Sequence, residues 1–531
     1  MRAHPTRTAA FVSLWAFLLA LLPACGQAPG QTETLRYGLT LVPTGIDPHL
    51  NASAELGIPL SSVYDTLVFQ DPGTGAFVPG LAERWTISDD GLSYIFELRR
   101  DVTFHDGSRF DAAAVRANLE YVLDPDNHSQ KAAFMLGSLE SVEPIDEYTV
   151  QLRLREPYAP LLDSLSQVYL GMASPAALQE WGSSEYQFHQ VGTGPYRFVE
   201  YVPNDYLTLE RNPDYAWGPS IYSSDRASIQ RVVFTFYEDR ATRAIALESG
   251  EVDVIGEIQP RGAARLEQGG GFVTYPVHIP GQPLQYLFNT QRAPTDDLRV
   301  RQALTQAVDR PAIVETVFGA YSPVAEGPLS TVTLGFDPGT PYPPYDLPAA
   351  VARLEEAGWV DTDGDGTRER GGQPLSLHII APNWGSNPEV AQLLQAAWQE
   401  LGASVTVEVA AGFGALKESQ AAGEYNLIGV NFFGTDPDLL RSTLSSDGLY
   451  AWTGYRDSRL DETLLEASGT TLDPVHRSAL YAEVARITRD QALLLPIRDY
   501  VNLVVANTRV QGLRFSSQGW FPLLVDLRLA P

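Results

Sequence analysis

This sequence is short of cysteine, lysine and long apolar runs, and each shortage excludes something. Cys25 is the only cysteine, so no internal disulfide can form and a disulfide-stapled fold is excluded. Lys131 and Lys417 are the only lysines, which leaves arginine to carry the positive charge. The chain has 37 Lys+Arg against 65 Asp+Glu, a net charge of −28 at pH 7, and such a surface does not suit nucleic acid. Its eight histidines include no pair at i, i+4, which argues against a metal cage. There is no Gly-x-Ser-x-Gly elbow, no His-Glu-x-x-His and no Walker loop. No catalytic residue, metal ligand or cofactor is therefore assigned. The apolar run at 9–22 is too short to span a bilayer comfortably.

What is present is enough chain for two or three packed domains: 531 residues, 44% of them hydrophobic, with no low-complexity tract. Arg2 and Arg7, then the apolar run, then Leu22-Pro23-Ala24-Cys25 read as an export signal over 1–24 with Cys25 as the lipidated residue. The bland alternative is an ordinary cleaved signal with a stray cysteine. Residues 25–34, small and polar, would tether a lipid anchor to the folded body. These features predict an exported protein, held at the cell membrane or free in the periplasm.

Between residues 81 and 123 the pattern is especially plain. Trp85 to Ile87, a turn at Ser88-Asp89-Asp90-Gly91, and an alternating Leu92, Tyr94, Phe96 and Leu98 predict a hairpin. Asp111 is a predicted N-cap for a helix whose apolar side is Val115, Leu119 and Val122. Two distant stretches echo one another: Gly250-Glu251-Val252-Asp253-Val254-Ile255-Gly256 and Gly423-Glu424-Tyr425-Asn426-Leu427-Ile428-Gly429 both follow a helical pattern. Each reads as a helix ended by glycine and followed by a buried strand, which suggests two lobes of one α/β architecture. Ligands bind off the carboxyl ends of such strands, so residues after Ile255 and Ile428 are placed at a cleft. Coincidence between common helix–strand joints is the competing explanation.

Pro79-Gly80-Leu81-Ala82-Glu83, Trp85 and Leu98-Arg99-Arg100-Asp101-Val102-Thr103-Phe104-His105-Asp106-Gly107 resemble the signature of the family 5 extracellular solute-binding proteins. Ile46-Asp47-Pro48-His49, Gly192-Thr193-Gly194-Pro195-Tyr196, Arg211-Asn212-Pro213-Asp214-Tyr215 and Leu287-Phe288-Asn289-Thr290 extend the likeness over about 35–515. The resemblance implies a two-lobed periplasmic-binding-protein type II fold of the α/β class with an additional side domain. Lobe I would comprise 35–60, 190–283 and 493–531, the side domain 61–189 and lobe II 284–492. It also implies the substrate-binding component of an ABC importer, a monomer that hands a small solute, such as an oligopeptide, to permease and ATPase subunits. An oligosaccharide, opine or metal chelate is the alternative solute; an extracellular hydrolase or surface sensor lipoprotein is the alternative class.

The likeness also points to binding residues. Those after the Asp-Pro-His motif, Asn51, Ala52, Ser53 and Ala54, would lie near the ligand, although Asp47-Pro48 by itself reads as a surface turn. Peptide-binding members carry a Gly-Trp-x-x-Asp pattern, whose Asp holds the peptide amine, where this chain has Gly429, Val430, Asn431, Phe432 and Phe433. Val430 replaces the Trp and Phe433 the Asp, so the amine anchor is missing. Burying an ammonium without a counter-charge costs several kcal/mol, so either another carboxylate serves or no free amine binds there. Phe413 falls at a pocket aromatic. Asp361, Asp363 and Asp365 suggest calcium, but Gly372 stands where an EF-hand needs its bidentate Glu, and turn decoration is the reading kept.

Overall fold

The computed structural model describes residues 34–40, 45–51, 53, 56–129, 131–237, 239–469 and 473–530. The predicted signal, Cys25, the tether up to residue 33, Ala52 and Ala54 lie outside them.

Two sheets organise the chain. The larger runs Phe272–His278, Val501–Asn507, Val254–Ile255, Thr34–Leu39, Arg231–Phe236, Tyr206–Arg211, Tyr196–Val202. The smaller runs Leu494–Arg498, Leu284–Phe288, Leu427–Val430, Ser376–Pro382, Ser404–Ala410. Taken from these ends, the first five strands of both sheets pair in the same sense: antiparallel, antiparallel, parallel, parallel. The echoed segments occupy the same third place in each sheet, each entered through a helix that ends at a left-handed glycine, Gly250 (φ +74) or Gly423 (φ +71). Glycine adopts that conformation without Cβ strain. The two lobes thus share an architecture.

The predicted hairpin forms from Ala82–Ile87 and Ser93–Leu98, with Trp85 opposite Phe96. It belongs to a four-stranded sheet with Leu139–Asp146 and Thr149–Leu154. Against this packs the helix Ala112–Leu123, which buries Val115, Leu119 and Val122 and is capped by Asp111, whose carboxylate accepts from the Ala114 N–H at 2.8 Å. This side region has no core of its own. Tyr94, Phe96 and Val150 share one apolar cluster with Leu35, Tyr37 and Phe234 of the large sheet, whereas the small sheet packs a separate cluster around Trp398.

One expected lobe boundary shifts. Residues 493–531 were expected in lobe I, but Leu494–Arg498 pairs with Leu284–Phe288 in the small sheet, and the chain crosses back only at 499–500. Gly192 and Gly194 of the Gly-Thr-Gly-Pro-Tyr motif do not serve as left-handed residues, since neither has a positive φ. What they supply is space. A Cβ on Gly192 would sit 2.0 Å from the Val63 carbonyl oxygen, and one on Gly194 2.5 Å from that of Ser62. The neighbouring His105 completes this joint through Nε2 to the Gly194 carbonyl (2.9 Å), and burial lowers its pKa to about 4, so it stays neutral.

Candidate functional site

The parallel strands of both lobes end on facing edges. Val254–Ile255 leads to Glu257, Ser376–Pro382 to Trp384 and Ser386, and Leu427–Val430 to Asn431, Phe432 and Phe433. Among the described residues the chain crosses between the lobes here, at 279–283 and 499–500, joined by the Ile279 N–H donating to the Tyr500 carbonyl at 2.9 Å.

Phe432 and Phe433 face different partners. Phe432 stacks on Tyr450 (4.7 Å between ring centres), and Tyr450 meets the edge of Phe413 at 6.0 Å, which leaves Phe413 42% exposed at the end of an aromatic shelf on lobe II. Phe433 packs instead on Tyr500 (4.9 Å) and Trp520 (5.3 Å), side chains that reach it from the last stretch of chain. Asn431 accepts from the Trp384 indole at 3.0 Å. Gly429 and Val430 are buried within their strand, and a Cβ on Gly429 would sit 2.7 Å from Asn387 Oδ1. Asn51 donates to the Asp47 carbonyl (3.1 Å) in the expected turn, and the Ser53 carbonyl accepts from the Tyr169 hydroxyl at 2.9 Å.

A polar seam joins the side region to lobe II. Asp163, 6% exposed, accepts from Thr435 across the seam and from Gln167 at 2.9 Å, while Gln518 donates to Thr435 at 3.0 Å. Burial first, and then the Asp436 charge, raise the Asp163 carboxyl to about 7. Arg477 grips Asp436 with two nitrogens at 2.6 and 2.8 Å. Lys131 lies near Asp163, its ammonium 3.8 Å above the Tyr169 ring, and burial lowers it to about 8. Among the described residues it has no hydrogen bond or ion pair. The motifs did not single it out; its rarity in the sequence was the available signal.

The Asp361, Asp363, Asp365 and Glu369 carboxylates approach within 4.8 Å of one another on the surface. Their loop engages them itself, Asp361 accepting from the N–H groups of Gly364 (2.7 Å) and Gly366 (3.0 Å).

Residues 76–449 match the family described as bacterial extracellular solute-binding proteins, family 5. The chain belongs to this family. It is 29% identical over 488 residues to the nickel-binding periplasmic protein of Escherichia coli (strain K12), which spans 87% of this chain and 88% of that one. It is 28% identical over 535 residues to di/tripeptide-binding protein 2 of Pseudomonas aeruginosa, over 94% of this chain and 96% of the other. NikA from Brucella suis, solved in complex with Fe(III)-EDTA, superimposes with a TM-score of 0.83 at 26% identity, covering 93% of this chain and 99% of NikA. As a family 5 solute-binding protein, the chain is the substrate-binding component of an ABC importer, a transport protein rather than an enzyme. No helix among the described residues is long and apolar enough to cross a membrane.

Proposed function

We propose that this receptor closes its two lobes on one small organic solute, an oligopeptide or a compound resembling one, and delivers it to a permease without gripping a free amine at Phe433. The observation that carries this reading is the packing of Phe433. The aromatic group it forms with Tyr500 and Trp520 occupies the position at which the family resemblance implies an amine-binding carboxylate. Large rings offer apolar area at little rotamer cost, which suits a cleft that closes on an elongated solute. Phe413, Asn431 and Phe433, together with the Asn51 to Ala54 segment that the family resemblance implies, form the proposed contact set; Gly429 and Val430 support it from within their strand. The proposed domain division keeps its earlier bounds, apart from the transfer of Leu494–Arg498 to lobe II.

A thermal-shift screen tests the reading, using di- to pentapeptides, their N-acetyl forms, oligosaccharides and nickel chelates. A solute at a hundred times its Kd adds about 2.7 kcal/mol to the native state. Peptides are expected to stabilise the protein, acetylated or not. A response to sugars or chelates alone would remove the peptide reading.

The monomeric receptor is further proposed to be held at the membrane by lipid on Cys25, supported by the basic, apolar and small-residue order before it. Cys25→Ser is then expected to release the protein from membranes, as read by fractionation and intact mass. A lipid-shifted mass that persists in the variant would overturn the anchor.

A further inference from the structure

At the crossing between the lobes lies a small open cavity lined from both sides. Lobe I contributes Glu257 and Asn502, and lobe II contributes Phe318, Ser322, Ser386 and Arg498.

Arg498 is 4% exposed. Its guanidinium is held between two rings, 4.0 Å from the centre of Phe318 and 4.2 Å from that of Tyr500, and Nη1 donates to Ser322 Oγ at 3.2 Å. Nε has no hydrogen-bond partner. Among the described residues no carboxylate lies within ion-pair distance; the Tyr500 hydroxyl and the charges of Glu257 and Asp499 act on it without closing a salt bridge, and burial still outweighs them. A guanidinium remains charged when buried, so a cation left this way is costly unless an anion completes it. Beside it starts the helix Asn387–Glu400, whose N-cap Ser386 makes no side-chain cap hydrogen bond. The Asn387 N–H there is taken by the Trp384 carbonyl and Pro388 has none, so this end adds only the positive pole of the helix dipole, which Glu389 in the first turn partly answers.

Glu257 gives the cavity a second sign. Its carboxylate accepts from the Tyr500 hydroxyl at 2.8 Å, and its own N–H donates to Asn502 Oδ1 at 2.8 Å. Both Glu257 (φ +51) and Ser386 (φ +61) are held in the left-handed region without being glycine, so two strained residues line one small space. A bare anion would meet the Glu257 carboxylate. An anion carrying a hydrogen-bond donor on its neighbouring atom would satisfy both walls.

We infer that this cavity receives the carboxy-terminal end of the solute: an α-carboxylate pairs with Arg498, and the N–H or O–H on its α-carbon is accepted by Glu257. The inference rests on the importer reading and deepens it, because the charged end of the solute is read at the lobe crossing instead of at Phe433. Tyr500 links the two places, since the ring that covers Arg498 also packs on Phe433.

The test uses the full chain and titrates trialanine, N-acetyl-trialanine and trialanine amide, by calorimetry, into the wild type and Arg498→Gln. The free acid and its acetylated form are expected to bind alike, and amidation to weaken binding at least tenfold. Arg498→Gln should weaken the acid at least tenfold while leaving the amide unchanged, with its ligand-free melting temperature as the check on folding. Should that variant not fold, the acid and amide comparison on the wild type still decides. Equal binding of acid and amide, or a loss on acetylation in place of amidation, overturns the inference. If an oligosaccharide or chelate binds and no α-carboxylate does, the inference fails while the importer reading stands; no binding by any class counts against both.

Discussion

Arg477→Ala is expected to lower the stability of this protein by about 3–5 kcal/mol, because it leaves a buried carboxylate without its cation. The guanidinium is 10% exposed and Asp436 12%, and two short contacts join them. Arg477 also donates to the Ala467 carbonyl at 2.9 Å, so it fastens the 431–438 segment to the helices behind it. Asp438, whose carboxyl is raised by burial and which Arg441 holds at 2.9 Å, and Asp163 add negative charge nearby, and among the described residues Asp436 has no cation of its own besides Arg477. Urea unfolding measures the effect. A loss below about 1 kcal/mol, typical of an exposed pair, would show that the seam is wetter than its geometry implies. Asp436→Asn in the Arg477→Ala background should recover part of the loss, which separates the stranded charge from lost packing.

The second large effect is a pH dependence of solute capture. The Asp163 carboxyl is raised to about 7 where the closed seam buries it, against an ordinary value near 4 when solvent reaches it. An acid whose value rises on burial takes up a proton as the seam closes. Closure is therefore favoured as pH falls through about 7 and gains nothing further below about 4. Affinity should be at least about tenfold higher at about pH 5 than at about pH 8. Asp436 works in the same direction, Arg477 opposes it, and Lys131 is already protonated throughout most of this window. Asp163→Asn keeps an acceptor for Thr435 and Gln167 and should flatten the profile at high affinity. A slope that survives in Asp163→Asn would assign the proton to another group.

Short-range features were legible in the sequence because they depend on neighbours along the chain. The Trp85–Phe96 hairpin, the Asp111 cap and the left-handed Gly250 and Gly423 follow from residues only a few positions apart. The echo also disclosed the repeated architecture, since both segments carry the same helix-to-strand grammar. The pair of Arg498 and Glu257 was not legible: the two residues are distant in sequence, and each alone has the look of a surface charge. The need for glycine at 192 and 194 was not legible either, because it comes from the distant carbonyls of Val63 and Ser62. The motif around 429–438 pointed to a candidate binding segment, but only packing could show that Phe433 turns toward Tyr500 and Trp520.

The position of Val501–Asn507 has a consequence for biogenesis. This strand, almost the last in the chain, lies between Phe272–His278 and Val254–Ile255 inside the large sheet. The amino-terminal strand Thr34–Leu39 pairs with Val254–Ile255 and Arg231–Phe236, so its partners too come from far along the chain. The half of the molecule that emerges first therefore cannot finish folding until its closing strand has arrived. Lobe II, one continuous run of chain that ends with Leu494–Arg498, has its partners within that run. For a polypeptide threaded unfolded across a membrane, such a long-range closure delays premature compaction on the side of synthesis. The interleaving that builds the large sheet thus sets the order in which the two lobes can complete.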